Sequence, residues 1–524
     1  MPRTVGVRGG RRQTNLDRET RAGIAETPAF LPPPKLLEFG GFPAAECGPA
    51  GIPSRRRSLG SRMSLDYCEL SDIGRRRANN QDAKAVVAPW SREQYRRRGW
   101  LLIVADGMGA HAAGEMASAM AAEHVPLAYE KFTSRSPPLA LRRSIEAANS
   151  EIHARGETSP DMKGMGTTCT ALVIVPRGAI VGHVGDSRAY RIRGERIDQL
   201  SRDHSLVWEL QDMQAAGRGV PNEAVSAAPK NIITRSMGPH AHVDVDIEGP
   251  FPVEEDDVFV LCSDGLSGQV ADEEIGLLAA TLKPRAAAGA LIALSLARGG
   301  PDNITVIVAR ATDKEVSKVS SKDEPWPLSD EADTATPTSR LPVKPLLFTA
   351  ASLFAILVSV GTLRSLLPEG LLAPDAANAD SLLTAAMWIM LAFSMLAFLA
   401  SFTFSLLGFL VTPAPTGRFL SPKDRLGKGP YRTYRCAASK ELVEGILATV
   451  ETAAEGLDAA AAGKAIAAVR AARDHLATRS FTSAVEDAAA ALDVYRRSVE
   501  SARSDVTVRG PAGNAESNRS ALDP

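Results

Sequence analysis

Aspartates stand at the edges of apolar runs at four places in the first three hundred residues: Asn80-Gln81-Asp82, Ala105-Asp106-Gly107-Met108-Gly109, Ser263-Asp264-Gly265 and Gly300-Pro301-Asp302-Asn303. Runs such as Leu101-Leu102-Ile103-Val104-Ala105 and Val258-Phe259-Val260-Leu261-Cys262 have the length and apolarity of buried strands. Carboxylates at strand ends, with glycine beside them, can converge on one hard cation or on a pair. Oxygen ligands suit Mg2+ or Mn2+, and two such ions can drive phosphoryl hydrolysis.

The 524 residues suffice for two or three domains. Residues 1–62 are rich in Arg, Gly and Pro, lack an apolar signal-peptide core and are expected to be a disordered basic extension, with Met63 as the expected start of translation. Residues 64–311 alternate strand-like and helical runs. Strands are expected at 65–73, 101–105, 168–175, 179–184, 189–193, 258–262 and 304–308, and helices at 112–130, 138–154, 205–216 and 284–297. Consecutive strands and paired helices suit an α+β sandwich better than a βαβ repeat. Residues 312–341 are Ser-, Asp-, Glu-, Thr- and Pro-rich and predict a flexible linker.

Two charge-free apolar stretches, 346–363 and 382–411, follow and are long enough for transmembrane helices. The loop between them holds Glu369, Asp375 and Asp380, whereas Lys344 precedes the first and Arg418, Lys423 and Arg425 follow the second. The positive-inside rule then puts both flanks in the cytoplasm, at the inner membrane. Residues 436–503 predict a small helical domain, with apolar residues at helical spacing in Ala484, Ala488, Leu492 and Tyr495, and 504–524 a disordered tail.

The net charge of −1 and an aromatic content of 5% argue against nucleic acid as a partner. Five cysteines, none in a CxxC pair, fit a reducing compartment, and Cys169 and Cys262 are expected as buried core thiols. No HExxH pattern suggests zinc.

Each Asp-Gly alone is a common turn signal; the ordered set is specific. Arg77-Ala78-Asn79-Asn80-Gln81-Asp82, Val104-Ala105-Asp106-Gly107-Met108-Gly109, Met165-Gly166-Thr167-Thr168, His183-Val184-Gly185-Asp186-Ser187-Arg188, Asp203-His204-Ser205, Ile233-Thr234-Arg235-Ser236-Met237-Gly238, Ser263-Asp264-Gly265 and Gly300-Pro301-Asp302-Asn303 occur in this order. Residues 64–311 thereby resemble the metal-dependent protein serine/threonine phosphatases, the protein phosphatase 2C family of bacterial type. The resemblance implies a β-sandwich flanked by helices (αββα), here followed by two transmembrane helices and a helical C-terminal region. It implies that Asp106 bridges two Mn2+ or Mg2+ ions, with the Gly107 carbonyl as a further ligand. Asp264 and Asp302 would hold one ion, Asp82 would support the second through water, and Asp186 would help a third. A water shared by the two ions would act as nucleophile, and Arg77 would grip the phosphate. Met108 stands where many eukaryotic members carry a histidine proposed as general acid; His111 is a nearby alternative, and metal-bound water another. Ala110 replaces a common glycine. Thr167 and Thr168 are expected to cap or pack beside the centre, Ser187 and Arg188 to orient Asp186, His204 to be a structural hydrogen-bonding histidine, and 211–231 to be a lid.

The expected activity is hydrolysis of phosphoserine and phosphothreonine on proteins, with Ser/Thr kinases and their substrates as partners. A non-catalytic phosphatase-fold scaffold is the alternative, and the C-terminal helices are a candidate docking site for a protein partner.

Overall fold

In a computed structural model the described residues are 65–109, 112–132, 134–229, 231–313, 323–329 and 418–508, with scattered helical positions between 351 and 395. The apolar runs form strands wherever they are short and bounded by turns. The chain begins with β1 (Leu65–Asp72), β2 (Asp82–Val87), helix α1 (Arg92–Arg97) and β3 (Trp100–Met108), followed by helices α2 (Ala112–Lys131) and α3 (Pro137–Gly156). A strand series comes next: β4 (Gly166–Thr167), β5 (Cys169–Val175), β6 (Gly178–Val184), β7 (Arg188–Arg193) and β8 (Arg196–Gln199). Helices α4 (Leu206–Ala215) and α5 (Asn222–Ala227) precede β9 (Asp246–Phe251) and β10 (Val258–Cys262). Helices α6 (Asp264–Ser267), α7 (Asp272–Thr281) and α8 (Pro284–Ala297) lead into β11 (Ile304–Ala311). Further on lie β12 (Trp326–Pro327), β13 (Phe419–Leu420), β14 (Arg432–Arg435) and helices α9 (Lys440–Ala454), α10 (Ala459–Ala477) and α11 (Phe481–Val508).

Two antiparallel sheets result. One runs β1-β11-β10-β7-β8-β14; the other runs β2-β3-β5-β6-β9, with β4 also pairing β3. The run 101–105 lacks polar alternation because both its faces are covered. Leu102 and Val104 point between the sheets, against Leu172, Phe259, Leu261 and Ile307. Leu101, Ile103 and Ala105 point the other way, under α2 and α3 with Tyr129, Leu141 and Ile145. Burial of each such side chain contributes about 1.5–3 kcal/mol. On the far side, α8 covers β1 and β11. The layering is therefore helices, sheet, sheet, helices, the α+β sandwich expected. Helix α7, absent from the expected helices, is capped by Ala271, whose N–H donates to Glu274 Oε2 at 3.0 Å; Arg298 in turn pairs with Glu274 at 2.6 Å.

Two expected boundaries need correction. Residues 323–329, inside the expected linker 312–341, pack on the sandwich. The Arg177 guanidinium lies 3.7 Å from the centre of the Trp326 ring, and β12 pairs with β13. Nor does the sandwich end at residue 311. Strand β14 adds an edge to the first sheet beside β8, and Glu248 accepts hydrogen bonds from Gly429 N at 2.9 Å and from the Tyr431 hydroxyl at 2.5 Å. Arg432-Thr433-Tyr434-Arg435 is too short and too charged to show strand character by itself, and its partner lies far upstream. The C-terminal helices also dock onto the sandwich. Helices α10 and α11 pack together, and α9 and α11 lie against α8. Ala484, Ala488, Leu492 and Tyr495 are buried, as their spacing predicts. Helix α11 continues to Val508, past the expected start of the tail at 504.

Among the described residues no helix is long and apolar enough to cross a membrane. The stretches 346–363 and 382–411 fall almost entirely outside those residues, as do the expected N-terminal extension 1–62, Ala110 and His111.

Candidate metal centre

The four strand-end aspartates come from both sheets and meet at one edge of the sandwich. In the second sheet, antiparallel pairing of β2 and β3 sets Asp82 directly opposite Asp106. In the first, Asp264 follows β10 and Asp302 precedes β11, which is paired with β10. Side chains then stitch the two edges together. Ser263 Oγ donates to Asp82 Oδ2 at 2.8 Å and accepts from Thr305 N at 3.0 Å. Asn303 Oδ1 accepts from Gln81 N at 2.8 Å, while its Nδ2 donates to the carbonyls of Ile73 and Asn79 at 2.9 and 3.0 Å. Residues 73–81 are thus fastened to the Asp302 loop, and Arg77 Nη2 reaches Asp302 Oδ2 at 2.7 Å. The Arg77 side chain is 49% exposed at the rim.

Gly107 is held by its own N–H on Gln81 O at 3.0 Å. A Cβ there would collide with the carbonyl oxygens of Gly114 and Gln81, so only glycine allows β3 to pass this close to α2. Thr168 secures Asp106 twice: its Oγ1 accepts from Asp106 N at 2.9 Å and its N–H donates to Asp106 O at 2.8 Å. The same Oγ1 lies 2.8 Å from Ser187 Oγ, beside the buried Asp186. Arg188 turns away from the centre and pairs with Asp203 at 2.7 Å and Asp272 at 3.3 Å, fixing the β7 side of the sandwich.

Burial, followed by the charges of Asp82, Asp264, Asp186 and Asp302, pushes the Asp106 carboxyl well above the usual carboxylate range. Burial raises Asp82 to about 7, with Asp264 and Asp302 adding to the rise against hydrogen bonds from Thr305 and Ser263. Asp186 rises to about 7 through burial and then the Asp264 charge. Asp264 rises through burial and Asp302, opposed by a hydrogen bond with Asp106. Oδ1 of Asp82, of Asp186 and of Asp264 is buried with no protein hydrogen-bond partner. Among the described residues no group of three His, Cys, Asp or Glu side chains stands spaced to hold a metal ion, and Asp302 is engaged by Arg77. Crowded carboxylates, three of them with a buried unpartnered oxygen, form an all-oxygen donor set whose chemistry nevertheless suits hard divalent cations. Such ions would offset the mutual repulsion and occupy the bare lone pairs.

The structure brings Asp82, Asp106, Gly107, Asp264, Asp302 and Arg77 to one place, with Asp186 at its flank. Sequence reading quoted Ser263, Asn303 and Gln81 within the motifs but gave them no role; they are the joints between the sheets. The available signal was their adjacency to Asp264, Asp302 and Asp82. Cys169 and Cys262 are fully buried, and burial lifts both thiols to about 12, so neither is a ready nucleophile. His204 has the hydrogen-bonding role expected of it: Nδ1 accepts from Gly185 N at 3.0 Å, and Nε2 lies 2.9 Å from Asp246 Oδ2. Residues 211–229 of the expected lid form the end of α4 and the short α5.

Behind the centre, His183 is buried against His204, with ring centroids 4.8 Å apart, and its Nδ1 lies 2.9 Å from Thr170 Oγ1. Burial, and then the neighbouring His204, lowers its pKa to about 3. A depressed histidine contributes stability that is present above its unfolded value of about 6.5 and is lost as pH falls toward 3. The expected result is a loss of about 2 kcal/mol between pH 6.5 and 5 from this residue. Comparing the pH dependence of the urea midpoint in wild type and His183→Asn isolates it: the variant should show a flatter acid limb, and parallel curves would remove His183 as the cause.

The two-sheet sandwich thus gathers carboxylates of both sheets beside an arginine at one edge. The sequence profile described as Protein phosphatase 2C matches residues 74–291. The serine/threonine protein phosphatase PstP of Mycobacterium tuberculosis is 37% identical over 256 residues, 48% of this chain and 46% of that protein. The protein phosphatase PhpP of Streptococcus pneumoniae is 36% identical over 256 residues, 48% of this chain and 99% of PhpP. A crystal structure of the PstP catalytic domain in complex with two manganese ions shares 37% identity at a TM-score of 0.39, covering 48% of this chain and 99% of that one. By its identity to PhpP over nearly the whole of that protein, and by the profile match, this chain belongs to the protein phosphatase 2C family. It spans about half the length of the curated PstP that it matches.

Proposed function

We propose that the chain is a protein serine/threonine phosphatase that depends on Mn2+ or Mg2+ and is anchored to the cytoplasmic membrane. The observation that carries this reading is the convergence of Asp82, Asp106, Asp264 and Asp302 from two sheets, with buried oxygens of Asp82 and Asp264 unpartnered. Asp82, Asp106, the Gly107 carbonyl, Asp264 and Asp302 would hold the ions, and Asp186 would help a further one. When bound, divalent cations supply charge neutralisation at the phosphoryl group and a water of lowered pKa. The chain's own residues do the rest. Ser263 and Asn303 hold the two carboxylate-bearing edges in register. Arg77, at the rim and already aimed at the cluster through Asp302, offers a planar fork to phosphate oxygens. With both core thiols buried, a covalent cysteinyl step is disfavoured.

Phosphorylated proteins are the proposed substrates, in keeping with the names of PstP and PhpP, with Ser/Thr kinases and their targets proposed among them. The charge-free stretches 346–363 and 382–411, flanked by basic residues, support the anchor, with catalytic domain and C-terminus in the cytoplasm. Release of phosphate from a phosphothreonine peptide by the purified full chain with Mn2+ tests the activity. Asp264→Asn should lower it about a hundredfold or more, and undiminished turnover by that variant would sink the assignment. Recovery of the native protein in the carbonate-washed membrane fraction is expected; recovery in the supernatant would refute the anchor.

A further inference from the structure

The loop that carries Arg77 is gripped from outside by the far end of the chain. Arg503, on α11, donates from Nη1 to both Asp72 carboxylate oxygens at 3.0 Å and from Nη2 to the Gly74 carbonyl at 2.7 Å. Asp72 Oδ1 also accepts from Gly74 N at 2.8 Å, so one carboxylate ties the turn and the helix together. About two turns earlier on the same helix, Arg75 Nη1 donates to the buried Tyr495 hydroxyl at 3.2 Å, and that hydroxyl lies 3.5 Å from Leu296 O at the end of α8.

What these contacts hold is the approach to the metal centre. Gly74 has φ +78°, and a Cβ there would strike the Asp302 and Gly300 carbonyl oxygens. Arg75 N donates to Gly300 O at 2.7 Å, and Arg77 ends on Asp302. The turn 72–75 thus sits between α11 on one side and the Asp302 loop on the other. Asp72 is nearly buried at its side chain, 11% exposed, and Arg503 is 34% exposed, so the pair is shielded more than a typical surface bridge.

We infer that α11 is an intramolecular clasp: Arg503 and Tyr495 are positioning residues that hold the Arg77-bearing turn against the Asp302 loop and so set how tightly the phosphate group is bound. The catalytic centre is thereby coupled to a segment that lies beyond both apolar stretches and outside the 74–291 match to the family profile. The inference rests on the phosphatase reading above, and its test has one arm that does not.

With the full chain, Arg503→Ala should raise KM for a phosphothreonine peptide about tenfold while kcat changes less than about threefold. Arg503→Lys, which keeps the charge on Asp72, should recover much of the loss, and Tyr495→Phe should raise KM by roughly threefold. In an Arg77→Ala background the Arg503→Ala substitution should add nothing to KM, because it acts through Arg77. An unchanged KM in Arg503→Ala, or effects that multiply in full with Arg77→Ala, would overturn the clasp. If Arg503→Ala does not fold, Arg503→Gln, which removes the charge facing Asp72, and Tyr495→Phe carry the same cycle. The second arm is amide hydrogen exchange: Arg503→Ala should speed exchange at Gly74 and Arg75 and leave the β5–β6 pairing unchanged. Faster exchange in a chain without phosphatase activity would keep the clasp and discard the function, whereas unchanged exchange at those two amides discards the clasp.

Discussion

Asp106→Asn is expected to reduce phosphopeptide hydrolysis by about a thousandfold or more, while the metal-free protein melts at the same temperature as wild type or higher. The two halves of that expectation come from one geometry. Asp106 faces Asp82 across the β2–β3 pair and is repelled by three further carboxylates. Removing its charge without changing its shape relieves that repulsion, and the loss of one buried like charge stabilises by an amount on the order of 1 kcal/mol. The same change takes away the carboxylate proposed above to hold the cations. The backbone clamp by Thr168 uses Asp106 N and O, and the amide of the variant can donate to Asp264 where the carboxyl now hydrogen-bonds it, so the fold is kept. An Asp106→Asn protein that melts well below wild type would mean that the carboxylate is a structural partner instead. Thermal melts in chelator and initial rates in Mn2+ read both halves.

Metal removal is the second large effect. Chelation should abolish turnover, and restoring Mn2+ at about a hundred times its dissociation constant should stabilise the fold by about 2.7 kcal/mol per site. For a unit of this size that is a rise in melting temperature of several degrees. The stabilisation arises because the cations bind carboxylates that otherwise repel one another, with Oδ1 of Asp82 and Asp264 unpartnered inside the protein. Asp106→Asn and Asp264→Asn should each lose most of the Mn2+-induced shift. A shift of the same size in both variants would place the ion elsewhere.

Much of the sandwich was legible because its strands announce themselves by apolarity. The run 258–262 became β10 with the same bounds, and 101–105 became the middle of β3, both fully covered. What stayed hidden was held by partners, not by local preference. Strand β2 is short and half-buried throughout, β14 is polar and finds its edge only after the chain has passed two apolar stretches, and α7 is recognisable mainly from its capping glutamate. At the centre, the aspartates could be read because each sits at the end of an apolar run. The joints were marked only by standing next to those aspartates: Asn303 acts through a side-chain amide that bonds three backbone groups of a distant loop, and Asp302-Asn303 taken alone reads as an ordinary turn. Arg503 carried no signal at all, since an arginine on an exposed-looking helix is usually solvated.

The most direct measurement is anomalous diffraction at the manganese edge from crystals of the full chain grown with Mn2+. Two peaks flanking Asp106 are expected, one shared with Asp264 and Asp302 and the other on the Asp82 side. Manganese density absent from that edge of the sandwich, or present only at sites that none of these four carboxylates reaches, would contradict the assignment.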